Sequence, residues 1–261
     1  MQAEIGIIGG TGLYDPQLLK NVKEITIDTP YGSPSDSITL GEMAGRKVAF
    51  LPRHGKKHTI RPTNINFRAN IAAFQQLGVK HILAPSAVGS LKEEYRPGEI
   101  VFVDQFIDRT TKREQSFYEA EKVCHISVAD PMCPGIRQTL FSAAQNLGID
   151  AHKTGTYVCI EGPRFSTKAE SRLFQSWGAE VVGMTLVPEC VLAREAEICY
   201  ASIAMVTDYD CWKDHPVSTE EIVKNMKINV DKVKRILAES IEKMPVDRKC
   251  ECGEALKCAL L

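Results

Sequence analysis

The chain has 261 residues, enough for one large α/β domain or two small ones. Its 32 basic and 33 acidic residues give a formal net charge of -1, so it has no general attraction for nucleic acid or a membrane surface. Its first residues lack the positive charge of a signal peptide, and no apolar stretch approaches membrane-spanning length. We therefore expect a soluble, cytoplasmic protein that recognises a small-molecule ligand locally.

Short apolar runs alternate with helical patterns along the chain, which is typical of an α/β fold. The predicted strands are 4–10, 38–40, 47–51, 81–87, 100–103, 155–160, 181–184 and 201–206. The predicted helices are 62–76, 134–147, 166–176, 187–197 and 218–243. No Pro- or Ser-rich linker interrupts this order. We predict one domain, residues 1–245, followed by a cysteine-rich tail, residues 246–261.

Several predicted strands end in residues suited to phosphate or another small anion. The segment 9–12 is Gly-Gly-Thr-Gly, whose glycines allow backbone N–H groups to approach an oxyanion closely. It lacks the spacing of a dinucleotide-binding fingerprint and the ending of a Walker motif. The other strand ends offer a guanidinium fork, an imidazole, hydroxyls and a small-residue backbone. The candidate anion-binding residues are Thr11, Arg53, His54, Ser86, Ala87 and Thr185.

His54 and His58 are four residues apart, which also allows a metal site. Zinc-binding histidines at this spacing normally lie on a helix with a Glu between them, whereas Gly55 and two lysines stand here. We expect no metal. Taken in isolation, the segment is equally typical of a solvated basic loop.

The apolar run 203–206 ends abruptly in Thr207, Asp208, Tyr209 and Asp210. A run of this kind predicts a strand buried on both faces of a sheet, and ligands bind beyond the carboxyl ends of such strands. Because side chains alternate along a strand, both carboxylates point the same way, toward one planar, hydrogen-bond-rich ligand. The alternative is an Asp pair that caps the following helix.

Nine cysteines are present, and six of them are scattered singly, as small buried side chains would be. Cys250, Cys252 and Cys258 crowd into the tail. No C-x-x-C pair occurs there, which argues against zinc. We predict that at least one disulfide restrains the tail. The alternative is that these cysteines are free thiols on a mobile tail.

Several blocks of sequence, in order and without large gaps, carry a specific resemblance. They are residues 9–13, 53–59, 104–111, 160–166, 184–189 and 200–213. In these blocks the chain resembles the purine nucleoside phosphorylases, and within them the branch that acts on 5′-methylthioadenosine or methylthioinosine. The resemblance implies an α/β fold, in which a single-domain twisted mixed sheet forms a distorted barrel flanked by helices. It also implies a homotrimer or a hexamer.

The resemblance also implies roles for individual residues. The anion-binding residues match the family's phosphate site. Met184 matches the residue under the ribose, while Phe165 and Ser166 match the wall beside the base. Asp208 and Asp210 match the pair that faces N7 and the 6-amino group of the purine. The remaining two matches concern the 5′ end of the sugar. His125 matches a residue that a neighbouring subunit contributes to this end of the site. Thr219 stands at a position where members of the family can have an apolar residue.

The implied reaction is phosphorolysis of 5′-methylthioadenosine to adenine and 5-methylthioribose 1-phosphate. Asp208 would be the catalytic residue, and phosphate would be a co-substrate with no metal or organic cofactor. Ser166, Asp210 and Thr219 would set specificity. Two alternatives stay open, a phosphorylase for methylthioinosine or for purine nucleosides broadly, and a nucleoside-binding protein without turnover.

Overall fold

The computed structural model describes residues 2–10, 13, 19–119, 122–213, 219–245 and 247–261, without the side chains of residues 219 and 221. Within these residues eleven strands form one mixed sheet. The strands are β1 (Ile5–Gly9), β2 (Lys20–Ile25), β3 (Ile38–Met43), β4 (Arg46–Pro52), β5 (His81–Ser90), β6 (Ile100–Phe102), β7 (Gln105–Asp108), β8 (Ala151–His152), β9 (Thr156–Cys159), β10 (Val181–Gly183) and β11 (Cys199–Tyr209).

Helices lie on both faces of this sheet. They are α1 (Phe67–Leu77), α2 (Pro134–Asn146), α3 (Lys168–Ser176), α4 (Leu186–Glu195) and α5 (Thr219–Lys243), with short 3₁₀ turns at Pro62–Asn64 and Glu251–Glu254. One hydrophobic cluster includes buried residues of α1 and α4, and a second includes those of α2 and α5. The predicted mixed α/β fold with flanking helices is confirmed.

Local sequence explains several helix boundaries. The side chain of Asn66 accepts a hydrogen bond from the backbone of Ala69 at the start of α1, and Gly78, with φ of 80°, ends that helix in a left-handed conformation. Thr167 and Glu170 form a capping box at the start of α3. None of the helices in the described part of the chain is both long enough and apolar enough to cross a membrane.

The long strand β5 organises the sheet. One edge of β5 pairs in parallel with β11 along its whole length. The other edge pairs with β1 at His81–Leu83 and then with β10 at Gly89 and Ser90. Between Leu83 and Gly89 that second edge pairs with no strand among the described residues, so the sheet opens there. This opening gives a ligand access to the strand that carries Ser86 and Ala87.

The tail folds back onto the domain. Cys124 and Leu260 form an isolated antiparallel bridge, and the backbone N–H of His125 donates to the carbonyl of Ala259 at 2.7 Å. The boundary between a domain ending at residue 245 and a separate tail stays a prediction; residue 246 lies outside the described residues.

The structure does not support the predicted tail disulfide. All nine cysteines are free, and Cys258 is exposed. The sulfurs of Cys250 and Cys252 instead lie beside those of Cys133 and Cys199, two cysteines that belong to the domain itself. The prediction considered only partners within the tail, whereas folding brings the tail against α2 and β11.

Candidate active site

A cavity of about 340 Å³ lies beside the opening of the sheet, at the carboxyl ends of β5 and β11. It collects most of the residues that the sequence singles out. The predicted residues that line it are Arg53, His54, Ser86, Ala87, Phe165, Ser166, Met184, Thr185, Asp208 and Asp210. Thr11 and the side chain of Thr219 lie outside the described residues. The structure therefore brings ten predicted residues to one place, while their roles stay predictions.

The register between β5 and β11 positions the two carboxylates. Met205 lies opposite Ala87 and Val206 opposite Val88, but the next pair joins Asp208 to Gly89. Thr207 is thus an extra residue on β11, a β-bulge of the kind that redirects side chains near active sites.

Asp208 lies deep in the cavity, with 6% of its surface exposed. The hydroxyl of Thr207 donates to its Oδ1 at 2.6 Å. A Cβ atom on Gly89 would lie 3.2 Å from Asp208 Oδ2 and 3.2 Å from Asp210 Cβ. Both acidic residues therefore pack against the bare backbone of Gly89, and a larger residue there would displace them.

Asp210 is 3% exposed, and its Oδ2 has no hydrogen-bond partner among the described residues. The buried hydroxyls of Ser166 and Ser171 also lack a well-aligned hydrogen-bond partner in the described part of the chain. Burial raises the pKa of Asp210, while the nearby hydroxyls of Ser171 and Ser166 act to lower it. A buried acceptor without a donor is costly in a protein interior, so this arrangement suits a ligand that brings an N–H group.

Arg53 is bound differently from the prediction of an open guanidinium fork. Its Nε and Nη2 donate to the two carboxylate oxygens of Glu189 at 2.7 and 2.8 Å. Nη1 donates to Pro85 O on β5, and Nη2 to Ile8 O on β1. The guanidinium thus ties the two strands together where the sheet opens. Of its five N–H groups, these bonds use four, so at most one N–H on Nη1 is left for an anion.

The Arg53–Glu189 pair is almost completely buried, with side-chain exposures of 2% and 0%. Although burial disfavours the charged guanidinium, the Glu189 carboxylate holds the pKa of Arg53 above its ordinary value. Tyr200 adds a hydroxyl hydrogen bond to Glu189 Oε1 at 2.7 Å. Arg53 therefore remains charged at the cavity wall.

His54 contributes a neutral ring. Its Nδ1 lies 2.8 Å from the carbonyl of Ile60, and since a carbonyl only accepts, Nδ1 carries the proton. Burial lowers the pKa of His54 to about 4, with further lowering from Arg53 and His58. Nε2 is then an acceptor, suited to the O–H of a protonated phosphate. The rings of His54 and His58 stack with centroids 4.5 Å apart, and His58 also lines the cavity.

The remaining anion-site candidates within the described residues line the same cavity as His54. Ser86 and Ala87 lie on the open edge of β5, and Thr185 is the residue immediately before α4. The hydroxyl of Thr185 makes no capping bond to α4, and its backbone N–H donates to the hydroxyl of buried Tyr157 at 3.4 Å. Hydroxyls and backbone groups from two separate elements therefore line the same cavity.

Part of the cavity lining is apolar. Phe165 is 51% exposed at the mouth, and Met184 lines the wall. Helix α5 contributes Ile222 and Met226, which are one helical turn apart and so lie on the same face. Sequence reasoning missed these two residues and considered only Thr219, at the start of the helix.

His125 does not reach this cavity within its own chain. It lies in the exposed segment that pairs with the tail. Sequence reasoning also missed Glu189, Ser171, Thr207 and Gly89 as parts of the site. Glu189 and Thr207 stand inside matched blocks, but only the fold reveals what they touch.

Comparison with known proteins gives consistent matches. The sequence model of the family described as "Phosphorylase superfamily" matches residues 4–242. The S-methyl-5′-thioadenosine phosphorylase of Nitrosopumilus maritimus is 59% identical, over 97% of either chain. A methylthioadenosine phosphorylase from an antarctic soil metagenomic library superposes with a TM-score of 0.96 at 44% identity, covering 100% of this chain and 93% of the other. The Schistosoma mansoni methylthioadenosine phosphorylase in complex with adenine gives 0.92 at 40% identity, covering 98% and 96%.

Proposed function

The chain belongs to the phosphorylase superfamily, and from this membership we infer that it is a pentosyltransferase acting on 5′-methylthioadenosine. Phosphate displaces adenine from the sugar and 5-methylthioribose 1-phosphate is formed, a reaction of purine and methionine salvage. The observation that carries the proposal is a single cavity lined by hydroxyl donors, two buried carboxylates and apolar side chains. Two relatives named S-methyl-5′-thioadenosine phosphorylase align over nearly the whole chain.

The chemistry that this cavity supports follows from charge development. As the bond between C1′ and N9 breaks, its electron pair moves onto the purine and the sugar carbon becomes cationic, as in glycoside cleavage. Asp208 in its protonated form donates to N7 and so neutralises the leaving purine. The Thr207 hydroxyl bonds to Oδ1 of Asp208, and Oδ2 lies beside Gly89. A phosphate oxygen forms the new bond to C1′.

In this proposal, neutral hydrogen-bond donors hold the phosphate. Ser86, Thr185 and the backbone at Ala87 supply hydrogen bonds, and His54 Nε2 accepts from a phosphate O–H. Arg53 contributes mainly its charge, since Glu189 occupies most of its fork. In this proposal phosphate is a co-substrate, and neither a metal ion nor an organic cofactor takes part.

Asp210 is proposed to select 6-amino purines. The amino group of adenine supplies an N–H to the Oδ2 acceptor that lacks a donor, whereas the carbonyl of hypoxanthine would face it with a second acceptor. Asp210→Asn should therefore lower kcat/KM for methylthioadenosine and shift its advantage over methylthioinosine by about ten- to a hundredfold. Steady-state kinetics on both nucleosides measure this ratio. An unchanged ratio would remove Asp210 from the 6-position.

Discrimination between a 5′-methylthio group and a 5′-hydroxyl is proposed to depend on the apolar part of the cavity lining. Ile222 and Met226 offer no hydrogen-bond partner to a 5′-hydroxyl, while a methylthio group gains from contact with apolar side chains. Methylthioinosine and the unsubstituted purine nucleosides are the alternative substrates. A nucleoside panel separates them.

We propose that the protein is a homotrimer or a hexamer in which His125 reaches the sugar 5′ end of a neighbouring site. Exposed Val123, at 56%, lies beside His125, and half-exposed Phe165 lies at the cavity mouth, as expected of surfaces that a neighbour covers. Sedimentation should give three or six chains, and His125→Ala should raise KM for methylthioadenosine. A fully active monomer would rule out the shared site.

The proposed compartment is the cytoplasm, where thiols remain reduced. Nine free cysteines, several of them adjacent in space, fit a reducing environment better than an oxidising one.

Strict dependence on phosphate tests the proposed reaction. Purified protein incubated with methylthioadenosine but without phosphate should release almost no adenine, because the cavity offers phosphate as the nucleophile. Chromatography of the products measures adenine and the sugar phosphate together. Rapid release without phosphate would identify a nucleosidase, and tight nucleoside binding without any product would identify a binding protein.

A further inference from the structure

Four cysteine sulfurs gather at the other end of β11, away from the active-site cavity. Cys133, Cys199, Cys250 and Cys252 have their Sγ atoms within 4.8 Å of one another. Cys199 begins β11 and Asp208 lies near its end, so about nine residues of extended strand, roughly 30 Å, separate the cluster from the catalytic pair. The cluster therefore has its own surroundings and its own chemistry.

The spacing of the sulfurs fits a metal ion at their centre. Tetrahedral zinc with Zn–S bonds of about 2.3 Å places its four sulfurs roughly 3.8 Å apart. The Sγ of Cys250 lies 3.7 Å from that of Cys133 and 3.3 Å from that of Cys199. A disulfide requires about 2.05 Å, so these distances exceed a covalent bond. Four thiols are also the complete ligand set of a structural zinc site.

Two of the four cysteines belong to the domain, and their positions do not depend on the tail. Cys133 immediately precedes α2, and its backbone N–H donates to Tyr200 O at 2.9 Å, next to Cys199 on β11. Both residues are buried, so this half of the cluster is preorganised.

Basic residues lie beside the cluster. Arg194 Nη1 donates to Cys252 Sγ at 3.6 Å. Arg137, Arg248 and Lys249 line the same cavity, together with the acidic residues Asp104, Asp130 and Glu251. Four thiolates around Zn²⁺ retain two uncompensated negative charges, which neighbouring cations and N–H donors to sulfur stabilise. The cluster thus has both the ligands and the outer partners that a tetrathiolate site requires.

We propose that Cys133, Cys199, Cys250 and Cys252 bind one structural Zn²⁺ ion that fastens the C-terminal tail to the domain. The metal replaces the protons of the four thiols, which are released on binding. Because the tail pairs with the segment around His125, the ion also restrains that segment. This site lies beyond the proposed reaction, which uses no metal.

Metal content tests the proposal directly. Protein purified without oxygen, in the presence of reductant and zinc, should contain about one zinc per chain by elemental analysis. The double variant Cys250→Ser/Cys252→Ser should contain less than about a tenth of that, because it loses half of the ligands. Cys258→Ser is the matched control, since Cys258 lies in the same tail but outside the cluster, and it should retain the zinc.

Cobalt and hydrogen exchange provide readouts other than metal content. Replacing zinc by Co²⁺ should give the thiolate charge-transfer band and ligand-field bands of tetrahedral cobalt, absent from the double variant. Removing zinc with a chelator should lower the thermal midpoint and speed exchange of the His125 amide, which bonds to Ala259 O. Either a metal-free wild-type protein or a disulfide among the cluster cysteines in oxygen-free preparations would overturn the proposal.

Discussion

Asp208→Asn should lower kcat for methylthioadenosine phosphorolysis by about 10²- to 10⁴-fold, the usual contribution of a general acid. An amide donates a hydrogen bond to N7, but it transfers no proton to the purine as negative charge accumulates. The isosteric change keeps an oxygen for the Thr207 hydroxyl, so the fold and the neighbouring Gly89 contact should survive. Rapid-quench and steady-state kinetics measure the loss.

The companion variant at Asp210 separates catalysis from recognition. Asp208→Asn should depress turnover for methylthioadenosine and methylthioinosine alike, whereas Asp210→Asn should change the preference between them. Unfolding midpoints close to that of the wild type would show that neither loss comes from misfolding. Near wild-type turnover by Asp208→Asn would mean that another group relieves the charge on the purine.

The sequence was sufficient to predict the site wherever polar residues follow a buried apolar run. The run 203–206 identified β11, and the Ser86-Ala87 pair at the end of another run identified β5. Since these two strands are neighbours in the sheet, their ends meet and form the cavity. The strand is nevertheless longer than predicted, Cys199–Tyr209, because Cys199, Tyr200, Asp208 and Tyr209 continue the pairing around a bulge at Thr207.

The structure differed where contacts join distant parts of the chain. β2 was missed because its residues are charged and exposed on an edge, so no alternation marks it. The sequence alone predicts that the Arg53 guanidinium is open to an anion, because nothing in a single sequence pairs Arg53 with Glu189, 136 residues away. The cysteine cluster was missed for the same reason, since its members come from α2, β11 and the tail.

The same distant contact gives the largest expected effect on stability. Glu189→Gln should lower the free energy of unfolding by about 3–5 kcal/mol, because it leaves the Arg53 guanidinium buried without its counter-ion. Gln keeps one oxygen that can accept from Tyr200, but its amide nitrogen no longer accepts from Arg53 Nε, so the variant loses both the charge and one hydrogen bond. Glu239→Gln, which removes an exposed partner of Lys243, is the control and should have little effect. Denaturant titration compares the three proteins.

Phosphate should stabilise these proteins against unfolding by different amounts, because the proposed phosphate site adjoins Arg53. Bound phosphate supplies negative charge beside the orphaned guanidinium of Glu189→Gln, so it should restore part of the lost stability. Saturating phosphate should therefore raise the unfolding midpoint of Glu189→Gln by more than that of the wild type or Glu239→Gln. Equal shifts of the unfolding midpoint in all three proteins would mean that Arg53 does not interact with the bound phosphate. In that case its role would be limited to joining β1 and β5 through the carbonyls of Ile8 and Pro85.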